Sequence, residues 1–241
     1  MTEAGPAGEP LRLICIDADA MPLFGKSRDG VREGYEPAAA ALVAESLGRP
    51  LEWVFRPWVE MVEALDAGEG DAIWCGQGIT EERRRRVDFT RPYAVFDESL
   101  LVRAGSGLAS PAELAGRRIG AIAGSTNMAL AETFDGAELV SFGGESDDVF
   151  GEMIDALRAG EVDGIVDDDV ALVPLADDPA FEVAFTVPTR NEWGVAVSKA
   201  RPETRDELDR ALGDQIANGR LAACWERWLP ELDYPFAGAA R

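Results

Sequence analysis

Histidine is missing altogether from the 241 residues. Its absence excludes Ser-His-Asp triads, histidine proton shuttles and zinc centres with imidazole ligands. Lysine is nearly missing, occurring only at Lys26 and Lys199, so the cationic chemistry of the chain rests on arginine. Positive charge as a whole is scarce: 23 basic residues stand against 45 acidic ones, a net charge of −22. Such a field repels phosphate backbones and anionic lipid surfaces and argues against nucleic acid or membrane as a partner. No apolar run reaches the roughly 18 residues of a membrane-spanning helix. Cysteine occurs three times, at Cys15, Cys75 and Cys224, widely spaced and in apolar surroundings. Buried free thiols are expected, with one disulfide as the lesser alternative. Neither a cofactor nor a metal is expected.

What is present points to an α/β fold. At 46% hydrophobic content the chain can bury ordinary cores, as one large domain or two small ones. The stretch from Met61 to Cys75 recurs 92 residues later as Met153 to Asp167, with Met, Ala, Leu, Ala, Gly, Glu, Asp and Ile coinciding. Each copy reads as a helix, a glycine stop and a short buried strand. Two copies of one α/β unit predict two similar lobes. The segment that follows the first copy is Gly76-Gln77-Gly78-Ile79-Thr80-Glu81-Glu82-Arg83-Arg84-Arg85-Arg86. The two glycines permit a close backbone approach to a ligand. Thr80 with Glu81 and Glu82 reads as a capped helical turn that could aim Arg83 back at the strand end. The alternative is a strand-loop-helix joint with a solvated arginine run. The repeat makes Asp168 the counterpart of Gly76, and both are expected at carboxyl ends of strands, where open α/β sheets bind ligands.

The run from Gly76 to Tyr93, ending Val87-Asp88-Phe89-Thr90-Arg91-Pro92-Tyr93, resembles the G-x-x-I-T-x-E-R…V-D-F-[ST]-x-P-Y signature of the type 2 periplasmic binding proteins. The closest group is the polar amino acid receptors of ABC transporters, solute-binding family 3, and the resemblance runs from about Leu11 to Trp228. It implies two α/β lobes joined by a two-crossing hinge, with an amino acid or similar zwitterion held in the cleft between them and no catalysis. Arg83 then takes the ligand carboxylate. Ser125 and Thr126, in a loop resembling the family's G-S-T cradle, complete that site, and Asp168 takes the ammonium group. Gly76 and Gly78 offer backbone groups. Asp17, in a loop resembling D-x-x-x-P-P-F, and Trp58, at an aromatic platform position, read the side chain. Taken alone, Asp17 suits a plain turn, Trp58 suits packing, Ser125 suits a helix cap and the Asp167-Asp168-Asp169 run suits a solvated turn.

The expected lobes are residues 1–94 with 193–241, and 95–192. Tyr93–Asp97 and Thr189–Trp193 are the expected crossings. Residues 1–10 read as a disordered leader lacking the basic and apolar regions of a signal peptide. The family is normally exported, so the expected location is outside the cytoplasm by resemblance and inside it if Met1 is the native start. The expected partners are a small ligand and an ABC permease, and the expected state is a monomer. One alternative is a cyclohexadienyl dehydratase-like enzyme on the same scaffold, with Asp167, Asp169 or Glu192 as general acid. Another is the effector domain of a LysR-type regulator, for which the chain shows no helix-turn-helix ahead of Leu11.

Overall fold

The computed structural model describes residues 8–25, 29, 31–143, 146 and 148–236. Most of the expected leader, residues 1–7, lies outside them. Glu9 and Pro10 do not fit a leader that packs on nothing. The Arg49 guanidinium donates to both carbonyls, at 3.0 and 2.8 Å.

The chain forms two compact units. The first holds the described residues up to Asp17, those from 29 to Val95, and those from Glu192 onward. The second holds Phe96–Asn191 and, contrary to expectation, the loop beginning at Ala18. That loop folds on itself through an Ala20–Phe24 bridge.

In the first unit, β1 (Leu11–Cys15) lies between β2 (Leu51–Phe55) and the short β3 (Ala72–Ile73), both parallel to it. The helix α1 (Tyr35–Ser46) connects β1 to β2 and α2 (Met61–Asp66) connects β2 to β3, the crossover that parallel neighbours require. A four-residue helix α3 (Glu81–Arg84) leads into β4 (Val87–Arg103). An aromatic cluster closes the core. Trp74 and Tyr93 lie 5.0 Å apart, Tyr35 meets Trp225 edge-on at 5.3 Å, and the Tyr35 hydroxyl donates to the Tyr93 carbonyl at 2.6 Å. Trp225 comes from α8 (Arg220–Trp228), which follows α7 (Pro202–Ala217).

The second unit repeats the plan. Here β5 (Arg118–Ile122) lies between β6 (Glu138–Phe142) and β7 (Gly164–Asp168), both parallel to it, and β7 pairs antiparallel with β4. The helix α4 (Thr126–Ala131) packs on one face and α5 (Val149–Ala159) on the other. Side-chain alternation decides which residues go where. Leu100, Val102 and Val166 join one core layer, and Leu101 and Ile165 the other.

The sequence repeat is therefore a structural one, and it reaches further than the matching residues. Gly68 and Gly160 both stop their helices with φ near +77°, values of 76° and 78°, in the left-handed conformation that glycine adopts without strain. Asp71 accepts from the backbone N–H of Arg12 at 3.0 Å, and its counterpart Asp163 accepts from that of Arg118 at 2.9 Å. Each arginine then reaches the carbonyl of its helix-stop glycine, Arg12 to Gly68 and Arg118 to Gly160. The same latch fastens strand to helix end in both units.

The strands β4 and β8 (Phe181–Ser198) each run unbroken from one unit into the other. The expected crossings, Tyr93–Asp97 and Thr189–Trp193, fall within these two strands. β8 bends at Arg190, whose φ is 53° and whose N–H donates to Asp97 Oδ1 at 2.9 Å. The helix α6 (Asp169–Leu172) follows β7 directly. All three cysteines are free, so the disulfide alternative falls: Cys15 and Cys75 are buried and Cys224 half-buried.

Candidate functional site

The glycine-arginine loop of the first unit folds as its capping residues dictate. The Thr80 hydroxyl accepts the Arg83 backbone N–H at 3.1 Å and starts α3. This turns the Arg83 side chain back, and its Nη1 donates to the Gly78 carbonyl at 2.9 Å. The guanidinium lies over the Trp58 ring, 5.5 Å from its centroid, a cation–π contact. Arg83 is half-buried, whereas Arg84, Arg85 and Arg86 are exposed. Trp58, Gly78 and Arg83 are therefore brought together.

Gly76 belongs to a different network. Its N–H donates to Glu36 Oε2 at 3.0 Å, and Glu36 also accepts a short hydrogen bond from the Tyr93 hydroxyl. Glu36 is fully buried in the first turn of α1. Burial pushes its carboxyl up to about 7, against the pull of Tyr93, Gly76 and the Arg32 charge. Gly76 has φ 57°, and a Cβ there would stand 3.1 Å from the Trp193 ring. Gly76→Ala should cost about 1–2 kcal/mol from the left-handed backbone alone. Chemical denaturation measures this, and an unchanged midpoint would refute the backbone assignment.

Asp17 is engaged by Arg32, whose Nη1 lies 3.3 Å from Asp17 Oδ1 and donates to the Ile16 carbonyl at 2.7 Å. Arg32 is buried, with its guanidinium over Trp53 at 5.6 Å and Phe55 at 5.1 Å. Sequence reading passed over both Arg32 and Glu36. An arginine before a helix and a glutamate in its first turn look like ordinary solvated charges, and only burial marks them.

In the second unit Ser125 caps α4. Its Oγ accepts the Met128 N–H at 3.0 Å and donates to the Ile122 carbonyl at 2.7 Å, and its own N–H is bonded to the same carbonyl. Its donors are thus occupied within the loop, whereas the Thr126 side chain lies beside Glu98. Asp168 ends β7 directly opposite Glu98 of β4. Both are buried, Glu98 2% and Asp168 8% exposed. Glu98 Oε1 and Asp168 Oδ1 are buried without a hydrogen bond among the described residues, as are Asn127 Nδ2, Thr189 Oγ1 and Asn191 Nδ2. Thr189, Asn191 and Thr126 lie close enough to hold the Glu98 carboxyl down, but burial outweighs them and raises it. Asp168 is raised well above the carboxylate range by burial, then by the charges of Asp167, Glu98 and Asp169. Asp167, whose Oδ1 accepts the Asp168 N–H at 2.7 Å, is pushed up by burial to about 7, and Asp169 likewise to about 6. The solvated-turn reading of this run is overturned by that burial. Glu98 was also missed, since a glutamate inside a strand reads as an outward-facing residue.

The raised carboxyls fix the sign of a pH effect. Glu36 and Asp167 have folded values of about 7 against unfolded values near 4. Their contribution to stability is full below about 4 and is lost as pH rises through about 7. The melting temperature of the ligand-free protein should fall between pH 5 and pH 8, and a flat or rising profile would contradict the burial of these carboxyls.

The profile of the bacterial extracellular solute-binding proteins, family 3, matches residues 13–231. An L-arginine-binding protein of Pseudomonas aeruginosa is 30% identical over 236 residues, covering 92% of this chain and 89% of that protein. An ABC transporter glutamine-binding protein of Bacillus subtilis is 29% identical over 217 residues, covering 87% and 78%. Among solved structures, an ancestral arginine-binding protein bound to arginine superposes with a TM-score of 0.82 at 25% identity, covering 91% of this chain and 98% of that one.

Proposed function

The chain belongs to the bacterial extracellular solute-binding proteins of family 3, and from that premise we propose that it captures a small zwitterionic amino acid without transforming it. One observation carries the reading. Asp168 is a buried carboxyl with an unbonded oxygen and no ion pair among the described residues, and a carboxyl so placed ionises only beside a cation. The ligand's ammonium group supplies it. Arg83, held over Trp58 and by the Gly78 carbonyl, presents a planar guanidinium fork whose geometry suits the ligand's carboxylate. The Ser125–Thr126 loop completes the cradle for that carboxylate, with the Ser125 side chain shaping the loop. Gly76 and Gly78, lacking side chains, let the ligand approach the strand end, with the Gly76 N–H already given to Glu36. Asp17, aligned by Arg32, and Trp58 read the side chain.

The named relatives are binding proteins rather than enzymes, and the dehydratase alternative has less support. Of its three candidate acids, Asp167 accepts a backbone N–H, Asp169 accepts that of Val170 at 2.8 Å, and Glu192 is exposed. Because the Bacillus relative is named as part of an ABC transporter, an ABC permease is the proposed protein partner, and a monomer the proposed state. Arginine and glutamine, the ligands in the relatives' names, are the first to test. A thermal-shift screen of the twenty proteinogenic amino acids decides the matter: a ligand at about 100 times its Kd adds roughly 2.7 kcal/mol. No shift with any of them would overturn the reading.

A further inference from the structure

We propose that Glu98 is a second acceptor for the ligand's ammonium group, and that with Asp168 it selects ligands presenting a primary ammonium. The inference rests on the amino acid reading above and adds to it a residue and a chemical preference.

Glu98 and Asp168 stand opposite each other on the antiparallel strands β4 and β7. Residues so placed have their Cβ atoms about 4.5–5.5 Å apart, and like charges there repel. Neither carboxylate has an ion pair among the described residues, and each keeps a buried oxygen without a hydrogen bond. Asn127 beside Asp168, and Thr189, Asn191 and Thr126 beside Glu98, lie close enough to lower the two carboxyls, but none of these neutral groups brings a positive charge and burial still raises both. Asn127, 5% exposed, leaves its Nδ2 unbonded, although its side chain lies near enough to Asp168 to lower that carboxyl. Thr189 Oγ1 and Asn191 Nδ2, beside Glu98, are unbonded as well. Three neighbouring polar atoms, on Asn127, Thr189 and Asn191, are left unbonded around two opposed carboxylates that each leave one oxygen unbonded, whereas about nine in ten buried polar groups in proteins are paired.

A primary ammonium answers this arrangement. It carries three N–H donors on one centre, enough to reach an oxygen on each carboxylate with one donor remaining. Methylation of the nitrogen removes a donor and sets an apolar group against unbonded polar atoms. Acylation removes the charge. Asp168 alone would be satisfied by one or two N–H groups and would discriminate less.

The experiment is titration calorimetry with L-arginine, L-glutamine and any other amino acid that shifts the wild type, each beside its Nα-methyl form. The wild type should bind the primary amine at least about tenfold more tightly than the methylated one, the scale of a lost hydrogen bond to a charged group. Glu98→Gln keeps size and shape but loses the charge. It should weaken the primary amine by about tenfold to a hundredfold and narrow its advantage over the methylated ligand. Glu98→Asp, which keeps a carboxylate, should recover part of the loss. Thermal melts of each variant report folding separately. If Glu98→Gln binds the primary amine as the wild type does, or keeps the same ratio between the two ligands, the inference is overturned while the amino acid reading stands. Failure of the wild type to bind any of the twenty amino acids overturns both.

Discussion

Asp168→Asn should weaken amino acid binding by about 2–5 kcal/mol, the cost of taking away one partner of a buried charge pair. The substitution preserves size and leaves the β4–β7 ladder intact, so the loss belongs to the charge. It should also stabilise the ligand-free protein. Asp168 is raised by burial and by the charges of Asp167, Glu98 and Asp169, and removing one of four neighbouring acids relieves the repulsion. Opposite movements in one variant, weaker binding with a higher melting temperature near pH 8, distinguish a ligand-facing carboxylate from a structural one. A structural Asp168 would lose stability on substitution and leave affinity unchanged. Titration calorimetry and a thermal melt on the same preparation decide between them.

The second large effect is expected at Arg83. Arg83→Ala deletes the proposed carboxylate anchor and should cost at least about 1.5–3 kcal/mol of affinity, the worth of hydrogen bonds to a charged group. Arg83→Lys tests geometry rather than charge. Lysine keeps the positive charge but cannot hold the Gly78 carbonyl and a carboxylate with one rigid planar fork. Its affinity should fall clearly below that of the wild type. Arg85→Lys, at an exposed position in the same run, should change affinity by less than about 0.5 kcal/mol. Equal losses at positions 83 and 85 would show that the loop contributes only a general positive field.

Several features were legible before any coordinates. The 92-residue repeat was readable because helix, glycine stop and strand each leave a local mark: apolar period, φ freedom and β-branched residues. Arg83 could be separated from its three arginine neighbours through its place in the family signature, and the Thr80 cap supplied a local reason for the direction of its side chain. The first-turn proline of α7 and the cap at Ser110, with its reciprocal Glu113 contact, follow from local chemistry in the same way.

Other features were not legible, because they depend on which residues face each other across long separations. The Arg12–Asp71 and Arg118–Asp163 latches join residues 59 and 45 positions apart, and their kinship is hidden by unequal spacing in the two copies. Ser125 suits either a cap or a ligand contact by sequence, and only the occupied Oγ decides. Glu36, Arg32 and Glu98 look like surface charges until burial is known.

By itself the sequence determined the α/β units, their duplication, the direction in which the arginine loop turns and the lack of histidine chemistry, since each is a property of composition or of neighbours within a turn or two. Tertiary structure alone decided that Glu98 stands opposite Asp168, that Glu36 holds the Gly76 backbone from inside the core, and that the two acids of the second unit are buried with unbonded oxygens. Strand register and burial set those facts, and both emerge only when distant segments pack and water leaves the groups between them.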